Sequence, residues 1–248
     1  MIKEALAYIT GLATEAEKPQ VLEIEGRTYC TKQLHRYDKR PLADPIHATT
    51  LTSLVDYIKE NREEFNDHKR MIIQVVDETT VKLYSELFGE QEREAFFTAS
   101  ALLPEFSYGR EYSQEAFLIS LQSCFKPSDD REAVAIVAGN ITNGQSEQFS
   151  DDGVTQQVTI KSGVARKDNA IVPNPVNLIP YRTFLEVDQP ASDFIFRIKD
   201  NGPGSEPSFK LVAADGGIWK SQALANIKEY LIEQLKDIPE RDRITIIA

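Results

Sequence analysis

The hydrophobic pattern changes period near Asn140, so the chain is neither an all-helical bundle nor an all-strand barrel. Before that point, apolar residues recur at helical spacing in several short blocks. Beyond it, Asn143-Gly144, Asp152-Gly153, Ser162-Gly163, Asp168-Asn169 and Asn201-Gly202 place turn dipeptides at intervals of about ten residues. Between these turns Val154, Gln156, Val158 and Ile160 alternate with Thr155, Gln157 and Thr159, and Phe194, Phe196 and Ile198 with Ile195 and Arg197. Phe209, Leu211 and Ala213 repeat the pattern, as expected of an antiparallel meander with one packed face.

The amino-terminal block reads mainly as helix. Ile2, Leu6, Ile9 and Leu12-Ala13 fit an amphipathic helix over 2–16, and Val21-Leu22-Glu23-Ile24 with Arg27-Thr28-Tyr29-Cys30 fits a hairpin turned by Gly26. Leu51, Leu54-Val55 and Ile58 predict a second helix. The β-branched run Met71 to Val76 predicts a buried strand, followed by a strand around Val81–Leu83; Ala95–Ala99 fits a third strand, although its alanines also suit a helix. Ser113 is placed to cap a helix carrying Ala116-Phe117 and Leu121, and a short helix follows from Asp129. Gly216-Gly217 leads into a last helix through Trp219, Ala223, Ile227 and Leu231, and Ile244–Ile247 closes as a strand. The fold class is therefore α+β, with a largely antiparallel sheet and amphipathic helices at both ends of the chain. A division into 1–127 and 128–248 at Pro127-Ser128 and a single domain 1–248 both fit this pattern.

Charge narrows the partners. With 28 Lys+Arg against 39 Asp+Glu, the formal net charge is −11, so a long nucleic-acid contact is disfavoured. No run reaches the roughly 18 apolar residues of a membrane span, and Cys30 and Cys124 stand far apart, as in a reducing cytoplasm. Phosphate-loop, dinucleotide and hydrolase-elbow motifs are absent from the sequence. His35, His47 and His68 lack metal-ligand spacing, so neither metal nor cofactor is expected. Asp129-Asp130 and Asp151-Asp152 have ordinary explanations as helix-start and turn residues. A metal-dependent phosphodiesterase using such acids with His47 or His68 has no template here.

One stretch departs from the acidic average. Lys32, His35, Arg36, Tyr37, Lys39 and Arg40, followed by His47, gather cations, an aromatic ring and histidines around Pro41 and Pro45. Guanidinium forks suit phosphate and a tyrosine ring suits a base, so this stretch is a candidate pocket for a small nucleotide-like anion. The same residues also read as a solvated loop whose cations pair with neighbouring acids. Tyr181-Arg182, beside Pro175 and Pro180, adds Arg182 as a second candidate, alongside its reading as a proline-protected edge strand.

The order of Leu34-His35-Arg36-Tyr37, Leu54-Val55-Asp56-Tyr57-Ile58, Phe117-Leu118-Ile119, Ile141-Thr142-Asn143-Gly144 and Ile179-Pro180-Tyr181 resembles the YfdQ-like family of prophage proteins, from about Leu34 to Leu235. The resemblance implies a phage or prophage product in the bacterial cytoplasm and transfers no activity or site residue. The resulting expectation is a non-enzymatic binder, a homo-oligomer that sequesters a small nucleotide-type signalling molecule against host defence. The alternatives are a structural or interaction protein that inhibits a host defence protein, and a nucleotide-cleaving enzyme.

Overall fold

A computed structural model describes residues 2–32, 42–60, 68–89, 91–141, 149–151, 156–158, 174–199, 201–202 and 205–248. The chain forms two compact units, Met1–Leu42 and Ala43–Ala248. The sequence had offered a boundary at Pro127-Ser128, but Pro127 lies between two helices that share one core.

The first unit holds helix α1 (Ile2–Glu17) and the hairpin β1 (Val21–Ile24) and β2 (Arg27–Cys30). Val21 pairs with Cys30 and Ile24 with Arg27, leaving Glu25 and Gly26 as a two-residue turn with φ of 52° and 74°. Both values lie in the left-handed region that such hairpin turns require, which glycine adopts without strain. Thr31 and Gln20 extend the pairing, and the Lys32 ammonium donates to the Glu17 carbonyl at the end of α1. A cation there complements the carbonyl end of the helix.

The second unit contains two apolar cores. The first forms under a five-stranded sheet of order β12-β4-β5-β6-β3, built from β3 (Ile46–Ala48), β4 (Met71–Asp77), β5 (Thr80–Ser85), β6 (Ala95–Ser100) and β12 (Ile244–Ile247). The centre is antiparallel, and both edge strands join parallel, β12 beside β4 and β3 beside β6. Alternation sends Met71, Ile73 and Val75 to the core and leaves Ile72 and Gln74 half-buried on the other face. Helices α2 (Leu51–Glu60) and α5 (Trp219–Leu235) cover the core side with Leu54, Val55 and Ile58 and with Ile227, Leu231 and Leu235. Each such fully buried aliphatic contributes at most roughly 1.5–3 kcal/mol.

The second core packs α3 (Gln114–Cys124) and α4 (Asp129–Asn140) on a three-stranded antiparallel sheet of β9 (Val176–Leu178), β10 (Ser192–Lys199) and β11 (Ser208–Ala213). Ser113 caps α3 through the Ala116 amide, as the sequence predicted, and Ser128 caps α4 through the Arg131 amide. Phe117, Phe196 and Phe209 stack here with centroids 5.4–6.3 Å apart. Strands β7 (Phe149–Asp151) and β8 (Gln156–Val158) pair antiparallel, while the rest of the alternating run Val154–Ile160 lies outside the described residues. The helices at both ends and the antiparallel-rich sheets make the protein α+β.

Residues 179–191, between β9 and β10, link the two cores. The segment inserts Phe184 and Val187 into the first core, and β10 then returns Phe194 to the second. Gln189 holds the turn: its Oε1 accepts from the Arg182 and Thr183 amides, and its Nε2 donates to the Thr183, Phe184 and Val187 carbonyls. Thr183 Oγ1 donates to the Glu78 carbonyl at 2.6 Å, and Glu186 accepts from the first two amides of α2.

Candidate functional site

Arg182 lies at this crossing. Its guanidinium carbon is 3.9 Å from the centroid of Trp219 and 5.7 Å from that of Phe194, and one terminal nitrogen donates to Ser192 Oγ. Arginine on an indole face gains electrostatically from the ring, and more as water is excluded. Burial lowers the Arg182 pKa, opposed by Tyr108, Asp215 and Glu78. Its Nε is buried with no hydrogen-bond partner among the described residues, as is Oδ2 of Asp215.

The neighbours come from four parts of the chain: the entry to α5, the segment holding Tyr108, β10 and the β4–β5 turn. The sharp entry to α5 uses Gly216 and Gly217 at φ of 63° and 82°, and the Gly217 amide donates to Asp215 Oδ1 at 3.1 Å. Burial pushes the Asp215 carboxyl up, but the Ser192 hydroxyl, the Gly217 amide and the Arg182 charge together hold it below its ordinary value. Tyr108 stacks on Phe194 at 5.3 Å and 14°, and burial raises its phenol to about 12 against the opposing pull of Arg182. Lys220 sits 5.5 Å from the Trp219 centroid and pairs with Glu78 at 2.7 Å. This constellation is a stacked cation with an acceptor-seeking Nε between aromatic walls. Among the described residues, no histidine is hydrogen-bonded to the Ser192 hydroxyl that Arg182 engages.

Of the other candidates, His35, Arg36, Tyr37, Lys39 and Arg40 lie outside the described residues. Lys32 belongs to the first unit and is engaged by the Glu17 carbonyl. His47 lies exposed on the edge strand β3 opposite Thr98, whereas Arg182 lies in the β9–β10 connection. Sequence reasoning singled out Arg182 without Trp219, Tyr108, Ser192 or Asp215. The usable signal was the single tryptophan directly after Gly216-Gly217 at a helix start.

His68 faces Glu94 with Nε2 and Oε2 3.5 Å apart, between Phe88 and Phe96 at 5.4 Å each. The nearby Ser85 hydroxyl is committed, donating to the Glu86 carbonyl at 2.7 Å and accepting from the Glu94 amide at 2.8 Å. Asp130 accepts from the Asn177 amide at 2.7 Å, tying α4 to β9. Among the described residues no group of three His, Cys, Asp or Glu side chains could hold a metal ion, and no helix is long and apolar enough to cross a membrane. The described residues of the second unit form grooves. One of about 510 Å³ lies between α3 and α4, around Leu121, Arg131 and Ile136; another of about 310 Å³ along α5 is lined by Glu186, Asp188, Glu229 and Glu233.

The first unit presents a different kind of surface. Every described residue in it is exposed, including Ile2, Leu6, Tyr8, Ile9, Leu12, Val21, Leu22, Ile24 and Tyr29. Charge also divides at Leu42: residues 1–42 carry seven basic and six acidic side chains, and residues 43–248 carry twenty-one and thirty-three. Counted at residue 127, this asymmetry averages out.

Compared with known proteins, the chain matches no family model, no curated protein and no solved structure.

Proposed function

We propose that this protein is a non-enzymatic binding protein that acts by docking on protein through residues 1–32. One observation carries the reading: nine large apolar side chains on α1 and its hairpin are exposed, in a unit with no buried residue among those described. A short helix and a two-stranded hairpin are each marginal in water without a covering surface. An apolar area of this extent on a folded chain marks an interaction surface. The commitments of Ser85 and Ser192 to fixed partners favour binding over turnover. With the resemblance to prophage proteins, the setting proposed is a phage or prophage product in bacterial cytoplasm, opposing a host protein or building a phage assembly.

The test uses an apolar dye on the full chain, diluted until it sediments as a monomer. Dye emission should rise on the native protein and fall in Leu6→Asp and Ile9→Asp, with the unfolding midpoint of the second unit unchanged. Equal dye binding in wild type and variants overturns the reading.

The small-anion reading keeps one observation in its favour, the buried Nε of Arg182 beside Trp219. It expects a phosphate-bearing molecule to be released intact when the purified protein is heated. It also expects Arg182→Met to abolish that release. Protein that yields no such molecule, and is not stabilised by cyclic oligonucleotides or ADP-ribose derivatives, removes it.

A further inference from the structure

We infer that the surface covering α1 and its hairpin is the same surface of a second copy of this chain, which builds on the docking reading above. Ala7 and Tyr8 apart, the apolar positions along α1 are Ile2, Ala5, Leu6, Ile9, Leu12, Ala13 and Ala16. At 100° per residue they fall within a stripe of about 120°, wide enough to bury the helix against another apolar surface. Thr10, Gly11 and Thr14 lie off that stripe; Thr10 and Thr14 turn their hydroxyls back onto the Leu6 and Thr10 carbonyls, and a Cβ at Gly11 would meet nothing within 4 Å.

The hairpin adds to it. The register puts Leu22 opposite Tyr29 and Ile24 opposite Arg27 on one face, and Val21, Cys30, Glu23 and Thr28 on the other. Both outer strand edges lack a strand partner among the described residues. From their fractional exposures, the large apolar side chains of the α1 stripe and of the Leu22 face of the hairpin together present roughly 800 Å², about what each partner buries in a standard stable interface. Charge favours a like partner here. The nearly balanced unit 1–42 meets its copy without strong repulsion, while residues 43–248, with thirty-three acids against twenty-one bases, repel theirs.

This association is hydrophobic and works against the charge of the rest of the chain. It should tighten, or hold steady, as salt screens that repulsion. An exchange of the basic stretch 32–40 onto an acidic surface would instead weaken with salt.

Sedimentation of the full chain across concentration and salt tests the inference. The expected result is reversible association at up to about 100 µM, a range that populates even a micromolar dimer. Ile9→Asp should weaken it at least about 30-fold, the loss of one hot-spot side chain. Gly11→Ala, off the seam and favouring helix, should leave it unchanged or tighten it by up to about five-fold. A monomer at every concentration, weakening with added salt, or an association indifferent to Ile9→Asp overturns the inference. A monomer whose dye binding is still lost in Ile9→Asp removes the second copy but leaves the docking reading standing; a monomer that binds no dye removes both.

Discussion

The guanidinium carbon of Arg182 sits 3.9 Å from the centroid of the Trp219 indole, closing the gap between the β9–β10 connection and the start of α5. Trp219 is the only tryptophan, so its emission reports this contact directly. Arg182→Met keeps much of the aliphatic stem and removes the charge and its donation to Ser192. It should shift Trp219 emission in the native state and lower stability by roughly 1–2 kcal/mol in urea unfolding. Unchanged emission would mean that the stack does not form in solution.

Tyr108 gives a pH signature at the alkaline end. Burial raises its phenol to about 12, so the folded state holds this proton more tightly than the unfolded chain, whose tyrosines titrate near 10. The resulting stability is fully present below about pH 10 and is lost as pH rises toward 12. Asp215 acts at the other end with the opposite sign: its depressed carboxyl stabilises the fold above about pH 4 and loses that contribution as pH falls further. Phenolate absorbance should show one of the nine tyrosines titrating late, and Tyr108→Phe should remove that step. A wild-type titration with no late tyrosine would place Tyr108 in water.

Glu186 ties the β9–β10 connection to α2 by a cap that spans the sequence. Its Oε1 accepts from the Leu51 amide at 2.8 Å and the Thr52 amide at 3.2 Å, where α2 begins with no acid of its own in the first turn. Glu186→Ala should cost about 1 kcal/mol, the usual loss of a helix cap. Glu186→Gln keeps the acceptor oxygen and loses only the charge beside the helix start, so it should cost roughly half as much. Equal costs for the two variants would assign the effect to charge alone.

These contacts mark where the sequence stopped being readable. The spacing of Leu51, Leu54, Val55 and Ile58, the cap at Ser113 and the β-branched run from Met71 are local signals, and each became the element it predicted. Ala95–Ala99 was ambiguous because alanine suits a helix; pairing Leu83 with Phe97 and Val81 with Ala99 makes it a strand. The parallel placement of β12 beside β4 has no local signature, because it depends on burying Ile244 and Ile246 against elements far away in sequence. Arg182 was visible as a charged residue between prolines. Its partners Tyr108, Trp219 and Asp215 were not, since only the return of residues 179–191 through the first core brings them together. The change in charge balance at Leu42 was present in the sequence, but a count made at residue 127 mixed the first unit with an acidic neighbour.

Gln189 offers the sharpest test of that crossing. The side chain is 8% exposed and serves five backbone groups, two amides through its oxygen and three carbonyls through its nitrogen. Leaving buried backbone groups unpaired costs about 1–3 kcal/mol per group that water cannot reach. Gln189→Ala removes every one of these bonds at once, though the cavity it opens admits some water. A loss of roughly 2–4 kcal/mol is therefore expected, larger than for either Arg182→Met or Glu186→Ala. Gln189→Glu retains the acceptor oxygens but brings a carboxylate against three carbonyls. It should recover less than half of that loss at neutral pH and more as the pH falls and the carboxyl gains a proton to donate. Urea unfolding of the two variants at pH 5 and pH 7 reads this directly. If Gln189→Ala costs under about 1 kcal/mol, the connection between β9 and β10 is held by Phe184 and Val187 packing rather than by its hydrogen bonds.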